Sequence, residues 1–378
     1  MIFRGEYMTV QETLAELVAI DSVSSRSNSK ITDYLQQRCE RAGFAVKRFS
    51  YNDGNEKFNL LASIGGDQAY AELALVGHTD TVPYDPNWID ATTLTERDGK
   101  LFGRGACDTK GFIAAALAAV DNVDLNRLKR PLALIFTADE EIGLLGAKYL
   151  AELAPVRLRY SIVGEPTSLQ PIRAGKGYAL AEVIVRGREA HSAYPALGSS
   201  AVFRAARLVT RLEAIARQLQ AEIHHGFDPP FTTLNVGVIN GGTAKNVIAG
   251  ECRFTLEWRP IPTQSPTLVL DLLHAGIEEE KRSDPEFDCE IDFTRKDSGF
   301  ETASESSLVT FLEDITNAEA GSVAFGTEGA QMARLGSEAV VLGPGDIRQA
   351  HRTGEFVPID ELNRCVEILT RAIAHFCY

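Results

Sequence analysis

The sequence predicts an α/β domain with a mixed, mostly parallel central sheet, interrupted by an inserted α+β domain. Three observations carry this. Leu73-Ala74-Leu75-Val76-Gly77, Leu132-Ala133-Leu134-Ile135-Phe136 and Ser161-Ile162-Val163 are continuous apolar runs separated by helical stretches. Such runs are strands buried on both faces. The middle of the chain alternates instead: Ala179, Ala181, Val183 and Val185 against Glu182 and Arg186, the period of a half-buried strand. The first pattern then returns at Ala339-Val340-Val341-Leu342.

Taken in order, residues 9–20 and 29–43 read as amphipathic helices, the second stopping at Gly43. Strands at 45–49 and 59–64 precede the first apolar run. The Ala-rich stretch 112–120 and residues 146–153 read as helices. In the middle, a strand at 178–187, a helix at 201–219, strands at 233–239 and 251–259 and a helix near 267–281 give an α+β sandwich with one open face. Helices at 306–318 and 361–376 close the chain. The expected domains are therefore 1–177 with 291–378, and an insert at 178–290, with hinges near 175–180 and 288–296.

Composition bounds the function classes. The 378 residues are 44% hydrophobic and 24% charged, with a net charge of −14. Apolar content is ample for a folded core. No apolar run reaches the roughly 18 residues of a membrane span. So acidic a chain is ill suited to phosphate backbones, so neither nucleic acid nor membrane is an expected partner. Six scattered cysteines without a C-x-x-C pair, and no apolar leader, predict free thiols and a cytoplasmic setting. The first seven residues read as an extension, or as sequence ahead of a start at Met8.

Chemistry is visible just past each buried strand. His78-Thr79-Asp80 follows the first run, Asp139-Glu140-Glu141 the second and Glu165 the third. Gly343-Pro344-Gly345 and then His351 follow the last, and Asp108 precedes the Ala-rich helix. Open α/β sheets bind ligands at the carboxyl ends of their strands. Each acid alone reads as a cap or loop residue, but crowding so many calls for a cation. Mixed imidazole and carboxylate donors suit zinc, and a shared carboxylate suits a metal pair. Asp80, two residues past His78, is placed to accept the imidazole's other N–H. A nucleotide-binding enzyme is disfavoured, because Gly103-Arg104-Gly105 lacks the following G-x-x-G spacing.

These motifs resemble the di-zinc aminoacylase and carboxypeptidase family. They are Gly77-His78-Thr79-Asp80-Thr81-Val82-Pro83, Gly103-Arg104-Gly105-Ala106-Cys107-Asp108-Thr109-Lys110-Gly111, Thr137-Ala138-Asp139-Glu140-Glu141 and Gly164-Glu165-Pro166-Thr167-Ser168. Phe325-Gly326-Thr327-Glu328 and Leu342-Gly343-Pro344-Gly345 are similar to the branch that acts on N2-acetylornithine. The resemblance implies a zinc-peptidase-like catalytic domain and a ferredoxin-like insert serving as lid and homodimer interface. It implies two Zn²⁺, replaceable by Co²⁺. His78, Asp108 and Glu165 would hold one ion, and Asp108, Glu141 and His351 the other, with Asp108 bridging. Glu140 would be the general base and Asp80 would orient His78. His191 would stabilise the oxyanion in the active site of the partner subunit. Asn246 and Arg259 would bind the substrate carboxylate, with Thr327 and Glu328 also at the substrate. Glu328 would answer a distal ammonium or else cap the helix it introduces. Thr109 and Ser200 stand where the family pattern has Met and Asn, and no proline follows Glu328. The implied reaction is hydrolysis of N2-acetyl-L-ornithine to L-ornithine and acetate, in arginine biosynthesis. Alternatives are a succinyl-diaminopimelate desuccinylase, an aminoacylase or carboxypeptidase for another N-acyl amino acid, or a non-catalytic metal-binding relative.

Overall fold

A computed structural model describes residues 8–52 and 56–378, so the first seven residues read as an extension lie outside the described residues. The chain forms two compact units. One comprises the residues up to 173 with 302–321 and 327–378; the other comprises 174–301 and 322–326.

The first unit opens with the helix Val10–Ala19, started by a capping box. The Thr9 hydroxyl accepts the Glu12 N–H, and the Glu12 carboxylate accepts the Thr9 N–H. The helix Ser29–Arg41 ends just before Gly43, whose φ of +93° suits glycine. Next come the antiparallel strands Ala45–Asn52 and Glu56–Ile64. The sheet then runs Leu132–Thr137, Tyr70–His78, Arg157–Val163 and Glu338–Val341. These last four are mutually parallel, whereas Glu56–Ile64 meets Leu132–Thr137 antiparallel. The sheet is therefore mixed and mostly parallel.

The apolar runs are buried because helices cover them. Leu73, Leu75, Leu132 and Leu134 join one core with the helices Lys110–Asp121 and Ile359–Cys377. Residues 110–120 are buried throughout, and the five alanines among them keep that helix slim enough to lie between neighbours. A second small sheet was not foreseen: Thr95–Arg97, Lys100–Phe102 and Phe356–Pro358 pair antiparallel. Three-residue strands are too short for a period of two to show.

The second unit holds a four-stranded antiparallel sheet in the order Thr233–Gly241, Glu251–Arg259, Tyr178–Arg186, Asp288–Asp297. Numbered along the chain, that order is second, third, first, fourth, the ferredoxin-like arrangement. The helices Ala201–Leu219 and Leu268–Ser283 cover one face, packing on Ala181, Val183, Phe254, Leu256 and Trp258. Ser200 caps the first of them by accepting the Phe203 N–H at 3.3 Å. A boundary at 290 would cut through the strand Asp288–Asp297, which pairs with Tyr178–Arg186 along its length. Its charged residues alternate with half-buried ones, as an outer strand requires.

Candidate metal centre

The central strand delivers His78 at its last position. The His78 ring is buried, and its Nδ1 lies 3.0 Å from the Asp80 main-chain carbonyl. A carbonyl only accepts, so Nδ1 carries a proton and Nε2 is the ring atom left to face the site. That Nε2 faces Asp108 Oδ1 at 3.0 Å. The Asp80 carboxylate stands further off, 3.6 Å from Nδ1. It accepts instead the Ser24 hydroxyl at 2.8 Å and the N–H groups of Glu140 and Glu141 at 3.1 and 3.2 Å. Asp80 thus orients His78 through its main chain and fixes the neighbouring turn through its side chain.

Asp108 ends a loop pinned from beneath. Glu355 is fully buried; one oxygen accepts the N–H groups of Cys107 and Asp108 at 2.9 and 3.0 Å, and the other meets Arg104 at 2.5 Å. The Thr109 hydroxyl donates to the His78 carbonyl at 3.1 Å. So held, Asp108 turns its second oxygen to His351 Nε2 at 3.1 Å. The same nitrogen lies 2.9 Å from Glu141 Oε2.

Glu140 and Glu141 follow the strand Leu132–Thr137 on a strained turn, with φ of +55° at Asp139 and +60° at Leu144. The turn is held by side chains from elsewhere. Asn59 accepts the Ala138 N–H and donates to the Gly146 carbonyl, both at 3.0 Å. Lys57 and Tyr51 reach the two oxygens of Asp139 at 2.5 and 2.8 Å. Glu165 is buried just past Arg157–Val163. Between them, Gly164 is obligatory, because a Cβ there would sit 2.2 Å from the Phe112 ring.

Electrostatics mark the cluster as short of positive charge. Burial pushes Glu140 and Glu165 well above the usual carboxylate range; Glu141 and Asp108, respectively, push the same way. Hydrogen bonds to Asp108 and Glu141 raise His351 to about 10. Burial disfavours a charged His78, yet Asp108 and Asp80 hold its pKa well above the ordinary value.

These donors fit a metal. Ligand atoms of His78, Asp108 and Glu141 all lie within 4.8 Å of one another. Asp108 turns each of its oxygens to the Nε2 of one imidazole, His78 and His351, and a proton or a metal cation held between each pair satisfies both partners. A carboxylate that addresses two imidazoles through separate oxygens has the donor arrangement of a bridge between two ions.

The other expected site residues fall in two groups. In the first unit, Thr327 and Glu328 are buried. Thr327 Oγ1 accepts the Gly329 N–H at 3.2 Å, whereas Glu328 makes no side-chain bond to the helix Gly329–Arg334 and so does not cap it. In the second unit, His191 and Asn246 are exposed and linked through their loops. His191 Nδ1 accepts the Ala193 N–H at 3.1 Å, which leaves Nε2 outward, and the Asn246 carbonyl accepts the Ser192 N–H. The Arg259 guanidinium lies 3.7 Å over the Tyr178 ring and meets Glu257 at 2.9 Å.

Sequence reasoning missed Lys57, Arg104 and Glu355. A lysine inside a strand that is otherwise buried demands a partner, and that was the available signal for Lys57. All six cysteines are free, five of them buried. Among the described residues, no helix is long and apolar enough to cross a membrane.

Comparison with known proteins extends this picture. Residues 74–375 match the model of peptidase family M20/M25/M40. The chain is 54% identical over 372 residues to an acetylornithine deacetylase of Myxococcus xanthus, covering 97% of each. It is 36% identical to one from Yersinia pseudotuberculosis serotype O:1b, covering 95% of this chain and 94% of that one. Among solved structures, a tripeptidase of Staphylococcus aureus superposes with a TM-score of 0.74 at 22% identity, covering 97% of each chain. An M20 metallo-carboxypeptidase of Sulfolobus solfataricus gives 0.74 at 19%, covering 96% and 98%. Those two likenesses concern the fold. With the family match spanning most of its length and relatives alike from end to end, the chain is a hydrolase that belongs to peptidase family M20/M25/M40.

Proposed function

We propose that the chain removes the acetyl group of N2-acetyl-L-ornithine by metal-assisted hydrolysis, giving L-ornithine and acetate. The chemistry rests on one observation above all: Asp108 splits its two oxygens between His78 and His351, with Glu140 beside them. The substrate follows the relatives named as acetylornithine deacetylases.

His78, Asp108 and Glu165 would hold one ion, and Asp108, Glu141 and His351 the other. Zinc suits this donor set, and Co²⁺ would serve in its place. When bound, the metal polarises the acyl carbonyl and acidifies water. Glu140 takes a proton from the attacking water and passes it to the departing amine nitrogen. Asp80 holds Glu140 in place through the main-chain N–H. His191 Nε2 serves the developing oxyanion in the active site of the partner subunit. Arg259 pairs with the substrate carboxylate, Asn246 adds a hydrogen bond, and Thr327 keeps the adjoining turn in shape.

The insert would also carry a homodimer interface and close over the substrate. The reaction would belong to arginine biosynthesis in the cytoplasm.

The test is an acetate-release assay after chelation and return of Zn²⁺ or Co²⁺, across N2-acetylornithine, N-acetylmethionine and N-succinyl-diaminopimelate. Metal-restored activity greatest on acetylornithine is expected. Preference for the succinyl substrate, or activity indifferent to metal, would overturn the reading.

A further inference from the structure

Glu328 is only 1% exposed, yet its carboxylate is half used. Oε1 accepts the Thr137 hydroxyl at 2.5 Å. Oε2 is buried and has no hydrogen-bond partner among the described residues. An unanswered buried carboxylate oxygen is costly and needs a reason. The structural reason is absent: the first turn of Gly329–Arg334 is capped by Thr327, not by Glu328.

The position of Glu328 supplies another reason. Thr137, its one partner, lies directly beside His78 in the parallel pair of strands. Glu328 is close enough to His78, Glu140 and Glu165 to perturb or be perturbed by each of them. It therefore stands beside the residues expected to hold the ions, reached through Thr137 on the strand next to His78. Burial lifts it to about 7, so an arriving cation would draw it fully into the charged form.

We propose that Glu328 Oε2 receives the distal ammonium of the substrate, and that this one oxygen selects a cationic side chain over a neutral one. The inference rests on the functional reading above and deepens it. It also fixes the kind of cation. With Oε1 held by Thr137, a single oxygen is on offer. A guanidinium binds carboxylates best through two parallel bonds, whereas an ammonium is a point charge with three rotatable donors. Glu328 thus favours ornithine-like amines over arginine-like side chains.

The test compares kcat/KM of the metal-loaded enzyme on N2-acetylornithine, N-acetylnorvaline and N2-acetylarginine. Norvaline is ornithine without the ammonium. The wild type should prefer acetylornithine to acetylnorvaline by roughly 10²-fold, the scale of a desolvated charge pair, and should rank acetylarginine below acetylornithine. Glu328→Gln should collapse the first ratio by a similar factor. Titration calorimetry of L-ornithine against L-norvaline gives the same comparison without turnover. An equal loss on both neutral and cationic substrates in Glu328→Gln would overturn the inference, as would an unchanged ratio. Should that variant not fold, a wild type that handles acetylnorvaline as well as acetylornithine overturns it alone. A wild type that hydrolyses neither substrate overturns the functional reading and this inference together.

Discussion

Asp80 does two jobs with different atoms, and both bear on catalysis. Its carbonyl sets the tautomer of His78, and its carboxylate collects the N–H groups of Glu140 and Glu141. Glu140 is thereby fixed without using its own carboxylate, which stays available for proton transfer. Glu140→Gln keeps size and hydrogen bonding but cannot take a proton. It should bind metal as the wild type does while kcat falls about 10²–10⁴-fold; near wild-type turnover in the metal-loaded variant would remove Glu140 from the role of base. The buried Lys57–Asp139 pair is a second point of control. Side chains here are 1% and 0% exposed, so removing one partner strands the other charge. Lys57→Met should cost about 3–5 kcal/mol, read as a lowered midpoint of thermal unfolding. An unchanged midpoint would show that the pair is dispensable. The roles proposed for Asp80 and Glu140 were legible in the sequence, but the pairing of Lys57 with Asp139 was not, because the two are 82 positions apart in the chain. A strand pattern reveals which face is buried, not which distant residue answers a charge on it.

At the scale of elements, the fully apolar strands were the readable part. Leu73–Gly77 and Leu132–Phe136 announce themselves because both faces of each strand are covered. The helix Ala201–Leu219 was equally plain, since its buried positions Ala201, Arg204, Ala205, Leu208, Leu212, Ile215 and Leu219 recur at helical spacing. Arg204 is the exception that proves informative: its guanidinium pairs with Asp284 at 2.8 Å, a contact the pattern could not supply. The expected boundary at 290 falls inside the strand Asp288–Asp297, whose polar and half-buried residues alternate and leave no apolar run to mark it. The opposite edge of that sheet, Thr233–Gly241, bears on dimerisation. It exposes Val238 and Ile239, and a bulge between Val236 and Val238 shifts its register. An open edge with apolar side chains invites a second strand, which suits the proposed homodimer. Ile239→Lys should therefore shift the chain towards monomer in sedimentation velocity. Retention of a wild-type dimer by that variant would place the interface elsewhere.

At the scale of the whole molecule, the chain leaves its first unit after residue 173 and returns by way of 302–321 and 327–378. That return brings Glu328, His351 and Glu355 to strand ends laid down by the first half of the sequence. The cluster was legible in part for this reason: His78, Glu141 and Glu165 stand just past apolar runs, and parallel strands end on the same side of a sheet, whereas Asp108 stands ahead of a helix and its assignment came from the family resemblance. The supports were not legible, since Arg104 and Glu355 meet across 251 positions and nothing local marks either. The central claim is that Asp108 bridges two ions. Anomalous diffraction from crystals grown with Zn²⁺, collected on both sides of the zinc edge, tests it most directly. Two zinc peaks about 3.5–4 Å apart, one against each oxygen of Asp108, are the result this account predicts. A single peak, or peaks that leave Asp108 untouched, would contradict it.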